Sequence, residues 1–77
     1  MYWVYAIRSL TRKYIYVGLT GNLTRRFGQH NAGESKTTRK YRPFELLYTE
    51  KCQNRPRARE RERYLKSGTG KEFLKTL

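Results

Sequence analysis

The chain of 77 residues is 36% hydrophobic and 14% aromatic, which suits one folded domain, 1–77, near the lower limit for a self-sufficient core, and excludes a disordered chain. Lys and Arg number 18 against six acids, and this net charge of +12 makes nucleic acid the leading partner. A membrane is excluded as partner, because there is neither an apolar run of about 18 residues nor a basic helix with a clean apolar face.

YWVYAIR, residues 2–8, is almost wholly apolar and β-prone and predicts a strand covered on both faces. KYIYVGL, 13–19, predicts a second strand, joined to the first by the hairpin-length link SLTR. With Ser9 opposite Arg12, a regular hairpin sets Tyr5 against Tyr16, Ile7 against Tyr14 and Trp3 against Gly18. Both tyrosines then share a face, beside a glycine that leaves room for a ligand. Val4, Ala6, Ile15 and Val17 pack on the other face.

Thr20, Gly21 and Asn22 are turn and cap signals for a helix over 20–31, with Leu23 and Phe27 on one face and Arg26 and His30 on an adjoining one. Residues 31–43 read as a long loop, whose KTTRKYRP segment has basic residues, hydroxyls and a tyrosine suited to phosphates or a stacked base. FELLYTE, 44–50, is a third strand. Asn54 and Pro56 open a helix that runs to about Ser67, where SGTG ends it, and KEFLKTL is a short last helix. Ala58 and Leu65 mark the buried stripe of the long helix. Glu62 falls on that stripe and Glu60 does not. Together these elements make an α/β (α+β) domain: a three-stranded, mainly antiparallel sheet flanked by helices in the order β, β, α, β, α, α.

All six acids are Glu, and one His with one Cys cannot build a four-ligand zinc site. A catalytic metal therefore has to be a hard cation on one carboxylate, completed by waters and substrate phosphate. A carboxylate on a buried stripe needs a cation or hydrogen bonds to satisfy it. Magnesium on Glu62 meets that need, as does pairing with Lys66 at i+4. The single Cys52 excludes an internal disulfide, and without a secretory signal the expected location is cytoplasmic.

WVY at 3–5, YVG at 16–18, LTRRFGQH and ARERERYLKSGTGKEFL stand in the order and spacing of four motifs of the GIY-YIG nucleases. The chain resembles that family over essentially its whole length, and looks most like the small stand-alone bacterial members, related to the nuclease domain of excision-repair nucleases. The resemblance implies that Tyr5 and Tyr16 are the paired active-site tyrosines, Arg26 the phosphate-stabilising arginine, His30 its polar neighbour and Glu62 the metal ligand, with Glu60 as the fallback. Tyr5 is expected to activate the attacking water and Tyr16 to orient it or the phosphate, and the two roles can be exchanged. A phenol serves as a base near neutral pH only if nearby positive charge lowers its pKa, which Arg26 and a metal are expected to do.

Gly18, Arg25, Thr38, Arg39, Lys40, Arg42 and Lys66 are the expected nucleic-acid contacts. The implied activity is hydrolysis of DNA phosphodiesters with magnesium or manganese and low sequence specificity. DNA is the partner, RNA stays open, and a protein partner is one source of specificity for a monomer or weak dimer. The alternative is a non-catalytic nucleic-acid-binding module on the same fold. Trp3 replaces the glycine of the first motif, Leu19 stands where repair nucleases of the family tend to carry Lys, and no Asn follows Asn54.

Overall fold

The most apolar stretch becomes the centre of the sheet. In the computed structural model, which describes residues 1–77, Tyr2–Ser9 forms β1, Ile15–Thr20 β2, Leu23–Ala32 α1, Phe44–Cys52 β3, Arg55–Lys66 α2 and Gly68–Lys75 α3, with a short 3-10 turn at Arg39–Tyr41. The strand order is β2-β1-β3, and both pairings are antiparallel. As the central strand, β1 buries Val4, Tyr5, Ala6 and Ile7 almost completely. Its alternation divides the core in two. Val4 and Ala6 pack with Val17, Ala58, Leu65 and Leu74 under α2 and α3. Tyr5 and Ile7 pack with Phe44, and around them lie Tyr14, Tyr16, Leu23 and Phe27 on the face that α1 covers.

The hairpin register differs from expectation by two residues. Tyr5 pairs with Gly18, Ile7 with Tyr16 and Trp3 with Thr20. The cause is Ser9, whose hydroxyl accepts from the amides of Thr11 and Arg12 and donates to the Tyr41 carbonyl at 2.6 Å. These bonds widen the connection to residues 10–14, closed by the Ser9 amide on the Tyr14 carbonyl at 2.9 Å. A shift of two preserves the faces, so Tyr5 and Tyr16 still lie on one side, as diagonal neighbours. Strand β3 carries one residue more than β1 where Ala6 pairs with Tyr48 and Ile7 with Leu46, a bulge at Leu47.

Gly18 does not leave room for a ligand. Its space is filled by the Tyr5 phenol. A Cβ at this position meets Tyr5 Oη at 2.7 Å and Cζ at 2.9 Å, with Tyr16 Cε2 at 3.0 Å.

Asn22 caps α1 and Asn54 caps α2, each accepting from the amide three residues on, at 3.1 and 3.0 Å. Asn31 then ties the end of α1 to β3, accepting from the Phe44 amide at 2.6 Å and donating to its carbonyl. SGTG is the start of α3 as well as the end of α2. Ser67 donates to the Tyr64 carbonyl and accepts from the Gly70 amide, so one residue serves both helices and α3 begins at Gly68, three residues earlier than expected. Gly70 lets the two helices cross closely, since a Cβ there falls 2.1 Å from the Tyr64 carbonyl oxygen.

Strand β3 is tied to α2 by a polar cluster in which Arg61 donates to both oxygens of Glu50, at 2.6 and 3.1 Å, and Tyr48 donates to the same carboxylate at 2.8 Å. The Arg61 hydrogen bonds hold the Glu50 carboxyl below its ordinary range, against the opposing effect of burial.

Two expectations follow. Gly18→Ala drives a methyl into the Tyr5 ring and lowers stability by about 1–3 kcal/mol. A thermal melt matching the parent would contradict this packing. Because the folded-state pKa of Glu50 is depressed, its contribution is present above the ordinary carboxylate range and is lost as pH falls through the folded value. The partners are partly exposed, so the contribution is about 1 kcal/mol. The stability gap between parent and Glu50→Gln in urea melts is then expected to close as pH falls from neutrality through and below that range.

Candidate active site

Three elements meet above the tyrosine face. Central strand β1 contributes Tyr5, edge strand β2 contributes Tyr16 and the second half of α1 contributes His30. The Tyr5 and Tyr16 rings lie 6.3 Å apart and tilted, and the His30 ring is 5.7 Å from the first and 5.1 Å from the second. Tyr5 Oη is hydrogen-bonded to His30 Nε2 at 2.8 Å, and His30 Nδ1 is hydrogen-bonded to Thr38 Oγ1, also at 2.8 Å. His30 and Thr38 are both 0% exposed, and Tyr5 is 1% exposed. A buried imidazole needs a partner for each ring nitrogen, and this chain supplies both. Tyr16 remains partly exposed.

The electrostatics differ from the sequence expectation at Tyr5. Burial pushes its phenol up to about 12, and neighbouring Tyr16 adds to the rise. The positive charge of the Arg26 guanidinium opposes this, as expected, but it does not outweigh burial. The Glu62 carboxylate adds a smaller upward push. The protein alone therefore does not prepare a phenolate at Tyr5 near neutral pH. His30 is pulled down to about 4, first by burial and then by the Arg26 charge, so it is a neutral imidazole at physiological pH.

Arg26 is half-buried, and its Nη1 donates to Gln29 Oε1 at 3.1 Å. With Arg25, Gln29, Thr20, Gly21 and Asn22 it lines a polar cavity of about 350 Å³ at the start of α1. Two guanidinium groups and no acid line it, a composition that favours a phosphate.

Glu62 lies on α2 with its side chain 12% exposed, held by Lys66 Nζ at 3.2 Å and more loosely by Arg59 Nε at 3.8 Å. No group of three or more His, Cys, Asp or Glu is placed to hold a metal. A hard oxygen donor standing alone fits magnesium or manganese, which accept one carboxylate with waters and phosphate oxygens. Its charge acts on the Tyr5 phenol, and this relates it to the tyrosines.

The expected nucleic-acid contacts divide. Arg25 borders the polar cavity, and Arg39 and Lys40 are exposed. Lys66 holds Glu62 with half its side chain in solvent. Arg42 is exposed but directs Nη1 to the Ala32 carbonyl at the end of α1, 3.4 Å away. Thr38 is no surface contact, because its hydroxyl is buried against His30. Gly18 is covered by the Tyr5 phenol.

Sequence reasoning missed the link from Thr38 to His30, since one hydroxyl in a loop rich in hydroxyls carries no periodic signal. It also missed the stack of Tyr41 on Tyr14, at 3.9 Å and nearly parallel, with Lys40 over the Tyr41 ring. The larger cavity, about 720 Å³, lies away from the tyrosine pair, between the hairpin and α3, where Arg12, Lys13 and Lys71 rim a floor of Ile15, Val17 and Leu74.

Known proteins resemble this chain over most of its length. The family model described as the GIY-YIG catalytic domain matches residues 1–75. A UPF0213 protein of Natronomonas pharaonis is 39% identical over 67 residues, covering 86% of this chain and 78% of that protein. A UPF0213 protein of Clostridium perfringens is 35% identical, over 100% of this chain and 83% of that one. The solution NMR structure of a UPF0213 protein from Bacillus halodurans superposes with a TM-score of 0.58 at 30% identity, covering 99% of this chain and 84% of that one. The protein belongs to the GIY-YIG domain family, as a small member similar to the UPF0213 proteins.

Proposed function

We propose that this protein is a divalent-metal-dependent endonuclease that hydrolyses DNA phosphodiester bonds with low intrinsic sequence specificity. The GIY-YIG domain is a nuclease fold, so a nuclease-type function follows from the family. The observation that supports the finer proposal is the gathering of Tyr5, Tyr16 and His30 from β1, β2 and α1 into one cluster, with Arg25 and Arg26 of the same α1 lining an acid-free polar cavity.

Each group then has a task matched to its surroundings. Arg26, beside the cavity it shares with Arg25, holds phosphate oxygens and offsets the negative charge that grows on the phosphorus as the water attacks. Tyr5, with its hydroxyl bonded to His30, orients the water by hydrogen bonding instead of serving as a standing phenolate. Tyr16 makes no side-chain hydrogen bond within the protein, so its hydroxyl meets water or phosphate directly. Tyr5 thereby takes the orienting role that the resemblance gave to Tyr16. Glu62 would hold the cation, with Lys66 turning aside to the phosphate backbone. When bound, that cation supplies Lewis-acid stabilisation of charge on the phosphate and leaving oxygen. DNA is the proposed substrate, drawn in by the net charge of +12.

Supercoiled plasmid with magnesium or manganese tests the proposal. The parent is expected to nick it and to stop on addition of a chelator, and Arg26→Ala and Glu62→Ala are each expected to nick at least about 100-fold more slowly. Variants as fast as the parent would remove the mechanism.

One observation favours a second reading, a nucleic-acid-binding module without catalysis: Glu62 is already paired with Lys66 and Arg59. In that case duplex DNA binds with an affinity that falls steeply with salt, Glu62→Ala leaves this affinity unchanged, and no metal produces nicks.

A further inference from the structure

We infer that the outer edge of β2, together with the cavity beside it, docks an extended segment of a partner protein that carries aliphatic side chains and an acidic end.

The two edges of the sheet are built differently. Strand β3 carries Glu45, Glu50, Lys51 and the bulge at Leu47, features that keep an edge from pairing with another chain. Strand β2, IYVGLT, has no charged residue, no proline and an unbroken register along β1. Antiparallel pairs alternate between hydrogen-bonded and non-bonded. The Ser9 amide bonds the Tyr14 carbonyl, so the pairs of Tyr16, Gly18 and Thr20 are the bonded ones and those of Ile15, Val17 and Leu19 are not. The amides and carbonyls of Ile15, Val17 and Leu19 therefore point away from β1, on the side where no further strand lies. Donors and acceptors alternate along this edge, a pattern that another peptide backbone matches.

The side chains of Ile15 and Val17 also form, with Leu74, the floor of the cavity of about 720 Å³ between the hairpin and α3. In a paired strand, the residues opposite Ile15 and Val17 project to the same face and so onto this floor. Cationic side chains and no acid surround it. Arg8 is matched by Glu45 and Lys75 by Glu72, which leaves Arg12, Lys13 and Lys71, all exposed, without a carboxylate. An aliphatic floor beside unmatched cations is complementary to aliphatic side chains that lead into carboxylates. A phosphate backbone presents acceptors only and does not match the outward carbonyls of β2. The floor gives bases no aromatic surface, and Tyr14, the one aromatic lining the cavity, is already stacked on Tyr41. A second copy would set two chains of net charge +12 edge to edge.

The probe is a synthetic peptide, acetylated and amidated, in which Val alternates with Thr before a run of Glu: Val-Thr-Val-Thr-Val-Glu-Glu-Glu. It is expected to slow amide hydrogen exchange at Ile15, Val17 and Leu19 and to leave Tyr16, Gly18 and Thr20, already bonded to β1, as they are. Replacing its Val by Ser, or methylating the backbone amides of its Val-Thr run, is expected to weaken binding about tenfold or more. Lys13→Glu combined with Lys71→Glu, both at exposed positions, is expected to weaken it about tenfold. Equal binding by either altered peptide, or by the double variant, overturns the inference, as does no binding at about 1 mM peptide. Protection of the same amides in the free protein as its concentration rises, with a doubled mass in sedimentation, assigns the edge to a second copy and overturns the inference. Protection of them by an oligothymidine assigns it to nucleic acid and does the same. No readout uses nicking, so the outcome is independent of the nuclease proposed above.

Discussion

The arrangement depends on one buried hydrogen bond, from the central strand to the first helix, between Tyr5 and His30. A phenol taken from water into a sheet core needs a polar partner, and an imidazole taken in with it needs two. Satisfying these needs draws three parts of the chain together: β1, the second half of α1, and the loop that carries Thr38. Gly18 makes the arrangement sterically possible, because the phenol lies where any side chain on β2 would stand.

The same burial determines the chemical character of the site. It keeps Tyr5 and His30 neutral over the physiological range, so the charged groups at the neighbouring polar cavity are the guanidinium groups of Arg25 and Arg26. A neutral hydrogen-bonded floor under a charged rim suits an anion that arrives with its own counterions. The few acids of the chain are used sparingly elsewhere. Glu45 pairs with Arg8 across the β1 and β3 strands, and Glu50 holds Arg61 of α2. Both ties join elements distant in sequence. Most of the positive charge is left uncompensated at the surface.

Much of the fold was legible locally. The doubly covered strand at 2–8, the Asn caps and the stripe of Ala58 and Leu65 each carry a signal within a few residues, and each corresponds to an observed element. The hairpin shows the limit of such signals. Alternation correctly put Tyr5 and Tyr16 on one face, but the register was set by Ser9, whose hydroxyl binds two loop amides and a carbonyl from residue 41. That last partner is remote in sequence, so loop length alone pointed to a register two residues away. Ser67 shows a similar limit, since two helices share it as a cap and the glycine run read as a stop is also a helix start.

The sequence by itself determined the order of elements, the two-faced character of the sheet and the excess of positive charge, and its resemblance to a known family named Tyr5, Tyr16, Arg26, His30 and Glu62 as a candidate site. The first three follow from periodicity and composition, which are properties of neighbours along the chain. Only the tertiary structure decided that Thr38 belongs under His30 and not on the surface, that Gly18 receives a phenol and not a ligand, and that burial outweighs Arg26 in setting the Tyr5 proton. Desolvation and close approach depend on what other segments place around a residue, and a linear pattern does not contain that information.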